Sequence, residues 1–230
     1  MTITLYDLAA ADPDVRFSPF CWRTKMALKH KHLEFRTEPW RFTETATLAP
    51  SGQGRVPAIV DHGIWVSDSW RIALHLDSKY SAHPPLMRDD TARAHARLIM
   101  CWADGLHGLV ARLAVKDIFD IVAAQDRDYF RQSREQRFGM SLEDVTRDRD
   151  GALKALAAAL YPAEQTLAEH HFLGGGAPDY ADYAVFGTLM WPYTVCKEPV
   201  LEATSRVGQW FERMLDLHDG YARSARTARG

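Results

Sequence analysis

The stretch Ser18-Pro19-Phe20-Cys21 sets a hydroxyl and a thiol three residues apart, one turn of a helix. Two cysteines at this spacing would exchange disulfides, the leading thiolate attacking and the second thiol resolving the mixed disulfide. Serine in the leading place closes that route, because its hydroxyl only donates or accepts a hydrogen bond. Ser18 suits a helix N-cap, and Pro19 suits the first helical position, where a missing N–H costs nothing. The free N–H groups and positive end of such a helix favour an anion. The chemistry open to Ser18 is therefore a hydrogen bond to an anion such as a thiolate at the helix end, with a plain N-cap role as the alternative. Lowering a thiol from about 8.5 to about 6.5 takes roughly 2.7 kcal/mol, within reach of one short hydrogen bond and a helix end. Cys21, one turn further in, is expected to be a half-buried small side chain.

A second polar turn precedes "SWRIALHLD". Ser69 can cap that helix and leave its N–H groups for a carboxylate, while Asp68 can pair with an ammonium. Together they suit a head group bearing both charges. The ten histidines contain no HExxH, and His170-His171 are adjacent on a predicted helix and point apart. Cys21, Cys101 and Cys196 are odd in number and distant in sequence, the pattern of reduced thiols. No metal site is expected. Thirty acids against 28 Lys and Arg residues leave a formal net charge of −2, so no global field favours nucleic acid. The opening MTITLYDL lacks the basic and long apolar regions of a signal peptide, and no run of about 18 apolar residues could span a bilayer. A cytoplasmic protein without membrane partners is expected.

The elements that must hold these residues change character along the chain. "TITLYDL" and "LEFRTEPW" alternate with period two, and "AIVDHGIWVSD" reads as two strands about a turn at Asp61-His62-Gly63. Helices are predicted from Ser18 and over "SWRIALHLDSKY", the latter burying Ile72, Ala73, Leu76 and Tyr80. After the linker "SAHPPLM" strand signals vanish, and helical pattern covers roughly 89–124, 141–170, 179–196 and 205–218, with Gly105 and Gly108 loosening the first. Ser141 with Asp144, and Asp179 with Asp182, carry capping-box spacing. The mixed-charge "RDYFRQSREQRFG" reads as a solvated or interhelical face, and the tail "YARSARTARG", basic and without acids, as frayed. The expected fold class is an α/β N-terminal domain over 1–82 and an all-α domain over 88–230.

This order resembles the cytosolic glutathione transferase family over essentially the whole chain. "SPFCWRTKMALKH" is similar to the family's active-site turn and first helix, "RVPAIV" to its cis-proline segment, "SDSW" to its glutamyl-binding turn and "APDYADYAVFG" to its helical-domain capping motif. Within the family, "ITLYDL", "DSWRIALHLDSKYS", "SREQRFGMSLED" and "FLGGGAPDYADYAVFG" look most like the bacterial β-etherases and fungal etherase-like enzymes.

The resemblance implies a thioredoxin-like N-terminal domain, glutathione as co-substrate and a homodimer. Ser18 would stabilise the glutathione thiolate, with Tyr6 at the end of the first strand as the competing hydroxyl. Val56, before cis-Pro57, would pair its backbone with the cysteinyl part of glutathione, and Asp68 with Ser69 would hold the glutamyl head. Arg41, Gln53 and Arg55 are candidates for the glycyl carboxylate. The thiolate would attack an apolar, aromatic electrophile, including β-aryl ethers, between walls drawn from Trp102, Phe119, Tyr129, Phe130, Trp191 and Tyr193. A non-catalytic ligand-binding module is the alternative from another class, and a thiol-disulfide oxidoreductase through Cys21 is a third.

Overall fold

The structure is a computed structural model and describes residues 2–229. The first part is a four-stranded sheet in the order β2-β1-β3-β4, formed by β1 (Ile3–Leu8), β2 (Phe35–Trp40), β3 (Ala58–Asp61) and β4 (Ile64–Ser67). β1 runs parallel to β2 and antiparallel to β3, which pairs antiparallel with β4. His62 and Gly63 join β3 to β4 with φ of 51° and 82°, as a two-residue primed turn requires. Alternation buries Ile3, Leu5 and Ile59 against Met26 of α1 (Pro19–His30) and Leu76 of α2 (Ser69–Lys79). The other sheet face carries Tyr6 and Trp65, whose rings stack 5.1 Å apart.

All later elements are helical: α3 (Asp90–Gly105), α4 (His107–Ile121), α5 (Arg127–Phe138), α6 (Leu142–Val145), α7 (Arg149–Ala159), α8 (Tyr161–Glu169), α9 (Tyr180–Val195) and α10 (Arg206–Gly220). The predicted helix over 89–124 breaks at Leu106, between the two glycines, and that over 141–170 divides into α6, α7 and α8, with Pro162 in the first turn of α8. The segment read only as a charged face is α5, closed by Gly139 in the left-handed conformation. Over its described residues the tail is not frayed. Ala222 is buried, Arg223 pairs with Glu212 and Asp216, and Ala228 N–H donates to Thr194 O at 2.8 Å. No single helix among the described residues is long and apolar enough to cross a membrane; α3 and α4 meet that measure only together, bent by 47°.

α9 is the axis of the helical part, buried on nearly every side against α1, α3 and α4. Its capping box forms as spaced, and the Asp182 carboxylate goes further. It accepts from the N–H groups of Leu173 (2.8 Å), Gly174 (2.9 Å) and Asp179 (3.2 Å) and from Trp210 Nε1 (2.8 Å). Gly187 lets α1 press onto α9, since a Cβ there would lie 2.4 Å from the Pro19 carbonyl oxygen. Beside it Arg23 is fully buried, bonded to Ala184 O and Thr188 Oγ1 at 3.2 Å each and paired with Asp104 at 2.7 Å.

Candidate active site

α1 begins where the sheet meets the helical part. Ser18 is its N-cap with extended backbone, and its Oγ accepts from Cys21 N–H at 3.3 Å. Only 3% of Ser18 is exposed, and that surface faces a cavity of about 490 Å³. Among the described residues its O–H has no oxygen or nitrogen acceptor; the neighbouring acceptor is the buried Cys21 thiol, and a ligand sulfur on the cavity side would compete with it for the proton. Cys21 is fully buried rather than half-buried, because its Sγ turns 3.8 Å from Tyr6 O under the sheet. Burial first, then the Asp7 charge, pushes its thiol well above the ordinary range. Beneath the turn the buried Lys25 ammonium pairs with the buried Asp7 at 2.9 Å and lies 3.4 Å from the Trp22 ring centroid, fastening α1 to β1.

On the sheet side the cavity is bounded by Trp40, Phe42 and the Gly54-Arg55-Val56 turn. The Val56-Pro57 bond is cis, and neither the N–H nor the C=O of Val56 has a hydrogen-bond partner among the described residues. Asp68 N–H donates to Pro57 O at 3.2 Å, which sets the next turn beside this one. There Asp68, not Ser69, is the N-cap: its Oδ1 accepts from Trp70 and Arg71 N–H at 3.1 and 3.0 Å. Asp68 has a φ of 74°, which swings the cap in front of Ser69 and makes the latter the first residue of α2. Ser69 is buried and its carbonyl accepts from Tyr180 O–H at 2.8 Å. Asp68 remains exposed, with Oδ2 unengaged.

Of the expected residues, Ser18, Arg55 and Val56 share the cavity wall, and Pro57, Asp68 and Ser69 follow just beyond it. Arg41 and Gln53 are off the wall. Arg41 is held 3.5 Å from Glu44, and Gln53 Nε2 donates to Arg55 O at 3.1 Å. Tyr6 is also off it, on the sheet face under Trp65. The helical side of the cavity comes from His107 and Val115 of α4, Phe130, Arg134 and Phe138 of α5, and Trp191 of α9. Tyr129 lines it too, but Phe119, Trp102 and Tyr193 do not; Phe119 lies under Arg131 and Tyr193 against Phe211. Phe17, Phe20, Trp40 and Phe42 are wall residues the sequence reading missed. The spacing of Phe130, Arg134 and Phe138, each four residues on, was the available signal for the α5 face. Among the described residues no group of three or more His, Cys, Asp or Glu side chains could hold a metal ion.

A model of the glutathione S-transferase N-terminal domain matches residues 17–79, and one of the C-terminal domain matches residues 95–219, more than half of the chain. The chain belongs to the glutathione S-transferase family. Its fold is that of solved transferases. A glutathione S-transferase of Ceriporiopsis subvermispora, crystallised with glutathione, superposes with a TM-score of 0.83 at 23% identity, over 96% of this chain and 98% of that one. A glutathione transferase from Phanerochaete chrysosporium gives 0.77 at 24% identity, over 97% and 94%.

In this transferase His107 sits between Phe20 and Trp191, ring centroids 5.1 and 5.9 Å away, with Nε2 3.1 Å from Thr188 Oγ1. Burial, then the Arg23 charge, holds its pKa down to about 4. His218, against Tyr183 at the far end of α1, is likewise held to about 4 by burial and then by His30 and His32. Both folded-state values lie below the unfolded one, so at these two groups the native state binds fewer protons between about pH 4 and 6.5. Stability is fully present above that window and falls as pH drops through it, by on the order of 3 kcal/mol for each group. Urea midpoints at stepped pH check this; a flat profile from pH 7 to 4 contradicts it.

Proposed function

We propose that this transferase binds glutathione beside Val56 and holds its thiolate at Ser18 for attack on an aromatic electrophile. One observation carries the reading: the Ser18 hydroxyl and the unpaired N–H and C=O of Val56 stand on one aromatic-walled cavity at the start of a helix. The cysteinyl backbone of glutathione adds to Val56 as a short strand. Its glutamyl ammonium meets Asp68 Oδ2 while its carboxylate meets the N–H end of α2 at Ser69. Arg55 receives the glycyl carboxylate more readily than Arg41, which Glu44 already holds, with Gln53 positioning the Arg55 loop. In the reaction the thiol proton leaves to solvent, and Ser18 O–H donates to the sulfur. The thiolate then forms a C–S bond as the leaving group departs with the bonding pair.

The family's two-domain division, 1–82 and 88–230, a homodimer and a cytoplasmic setting belong to the same reading. Burial of Cys21 with its raised pKa speaks against the oxidoreductase alternative. A ligand-binding module without catalysis is separated by one assay: glutathione conjugation of a chlorodinitroarene at a rate above background supports the transferase, and binding without turnover supports the module. Asp68→Asn, which keeps a capping oxygen but removes the charge, is expected to weaken glutathione binding by about 1.5–3 kcal/mol and to raise KM more than it lowers kcat. Calorimetry with unchanged affinity would reduce Asp68 to a turn former.

The finer reading is cleavage of β-aryl ethers in lignin-derived dimers. A carbon next to a ketone is activated toward the thiolate, and the phenolate, with a pKa of about 10, is a tolerable leaving group. Trp191 and Phe130 supply flat walls for two rings. Glutathione-dependent release of a fluorescent phenol from an α-keto β-aryl ether is expected. Its absence in protein that conjugates the chlorodinitroarene would remove the etherase assignment alone.

A further inference from the structure

The cavity is aromatic, but it is not neutral. Arg55, Arg134 and Arg137 all line it, and no Asp or Glu does. None of the three has a carboxylate within 4.0 Å among the described residues. Elsewhere on the surface arginines are commonly paired: on the same helix Arg131 is bound to Glu135 at 2.8 Å and Glu143 at 3.0 Å. α5 thus sorts its charges by face, one stripe neutralised outward and the other, Phe130-Arg134-Phe138 with Arg137, left cationic inward. Nearby acids are already engaged. Asp104 pairs with Arg23, and Asp126 accepts from Phe42 N–H, Thr43 N–H and Thr43 O–H at 3.2, 3.1 and 2.7 Å.

Arg134 is also pre-positioned. Its guanidinium carbon lies 5.1 Å from the Phe42 ring centroid and 4.7 Å from that of Phe130, and Nη1 donates to Ser133 Oγ at 2.8 Å. A half-buried guanidinium held over two rings, with donors to spare and no counter-ion, is complementary to a planar aromatic acid: the ring continues the stack and the carboxylate supplies the missing charge.

We infer that the second substrate of this cavity is an aromatic electrophile bearing a carboxylate, held by Arg134 and Arg137 in the cavity that Ser18 also lines. For turnover the inference rests on the transferase reading; for binding it does not. It narrows the ether version to acid-bearing aryl ethers. In the glutathione reading the glycyl carboxylate falls to Arg55, next to Val56 in sequence, which leaves the two arginines of α5 without a charged partner.

The test uses a chloronitrobenzoate and the matching chloronitrobenzamide, nearly alike in shape. The thiolate replaces chloride, which leaves with its bonding pair, and each kcat/KM is divided by the uncatalysed rate to remove intrinsic reactivity. A preference of about tenfold for the benzoate is expected, shrinking as salt rises from about 0.02 to about 0.2 M. Arg134→Gln and the exposed Arg137→Gln should each cut the preference about threefold or more, and the double substitution should abolish it. Without any turnover, nitrobenzoate and nitrobenzamide titrated against the fluorescence of Trp40 and Trp191 report the same selectivity. Preferential quenching by nitrobenzoate in protein that conjugates neither these substrates nor the chlorodinitroarene would sustain the inference and sink the transferase reading. Equal affinity for acid and amide overturns the inference. So does a preference that survives in Arg137→Gln and the double variant, or an effect of the substitutions confined to the KM for glutathione.

Discussion

Ser18→Ala is expected to lower turnover about 10–100-fold at neutral pH and to raise the pKa of bound glutathione by about one to two units. The hydroxyl is the side-chain donor that the α1 entrance presents to the cavity, whereas the N–H groups of the first turn and the Val56 backbone survive the change. Binding therefore persists while the thiolate loses one charge-assisted hydrogen bond of roughly 1.5–3 kcal/mol. Removing Oγ also takes the acceptor from Cys21 N–H, a cap loss of about 1 kcal/mol, which lowers stability but does not move a thiol titration. Thiolate absorbance against pH separates the two effects. A titration that stays put in the variant would withdraw Ser18 as the donor and turn attention to Tyr6, despite its stacking on Trp65.

Asp182→Ala should cost more than any other single truncation considered, about 4 kcal/mol or more. The carboxylate is buried and satisfies three backbone N–H groups from two loop positions and the N-cap of α9, together with the Trp210 indole. Each donor left without an acceptor costs about 1–3 kcal/mol, against a total stability of roughly 5–15 kcal/mol. The loss falls on the entry to α9, on which α1 rests, so soluble protein should lose glutathione affinity as well. Asp182→Asn, still an acceptor through one oxygen but now turning an NH₂ toward donors, is expected to lose about half as much. The urea midpoints of the two variants and wild type give the order; an Asp182→Ala midpoint within error of wild type would refute the role.

What could be read from the chain is what local chemistry determines. Ser18 with Pro19, Ser141, and Asp179 with Asp182 announced their caps, and the alternation of "TITLYDL" and "AIVDHGIWVSD" announced the strands and their turn. Three kinds of feature were hidden. Breaks such as Leu106 and Leu160 interrupt apolar runs that any periodicity carries straight through, because only packing decides where such a run bends. The full burial of Cys21 depends on a carbonyl of β1, fifteen positions away. The walls depend on longer reaches still: Phe42, two residues past the end of β2, packs on Phe130 of α5, and Phe119, which shares its chemistry, was drawn under Arg131. The shift of the α2 cap from Ser69 to Asp68 turns on a left-handed backbone that residue type permits but does not announce.

Gly187 bears on how such an enzyme can be altered by inheritance or by engineering. The hydrogen at its Cα is the spacer between the Pro19 carbonyl and the axis of α9, so the height of the Ser18 turn is gauged by a residue 169 positions downstream. A helical half transplanted from a relative with alanine at this place would bring a methyl group to 2.4 Å from that oxygen and lift the turn off its seat. Chimeras of this transferase are therefore viable as matched pairs of α1 and α9, and the useful unit of exchange is that interface rather than either domain.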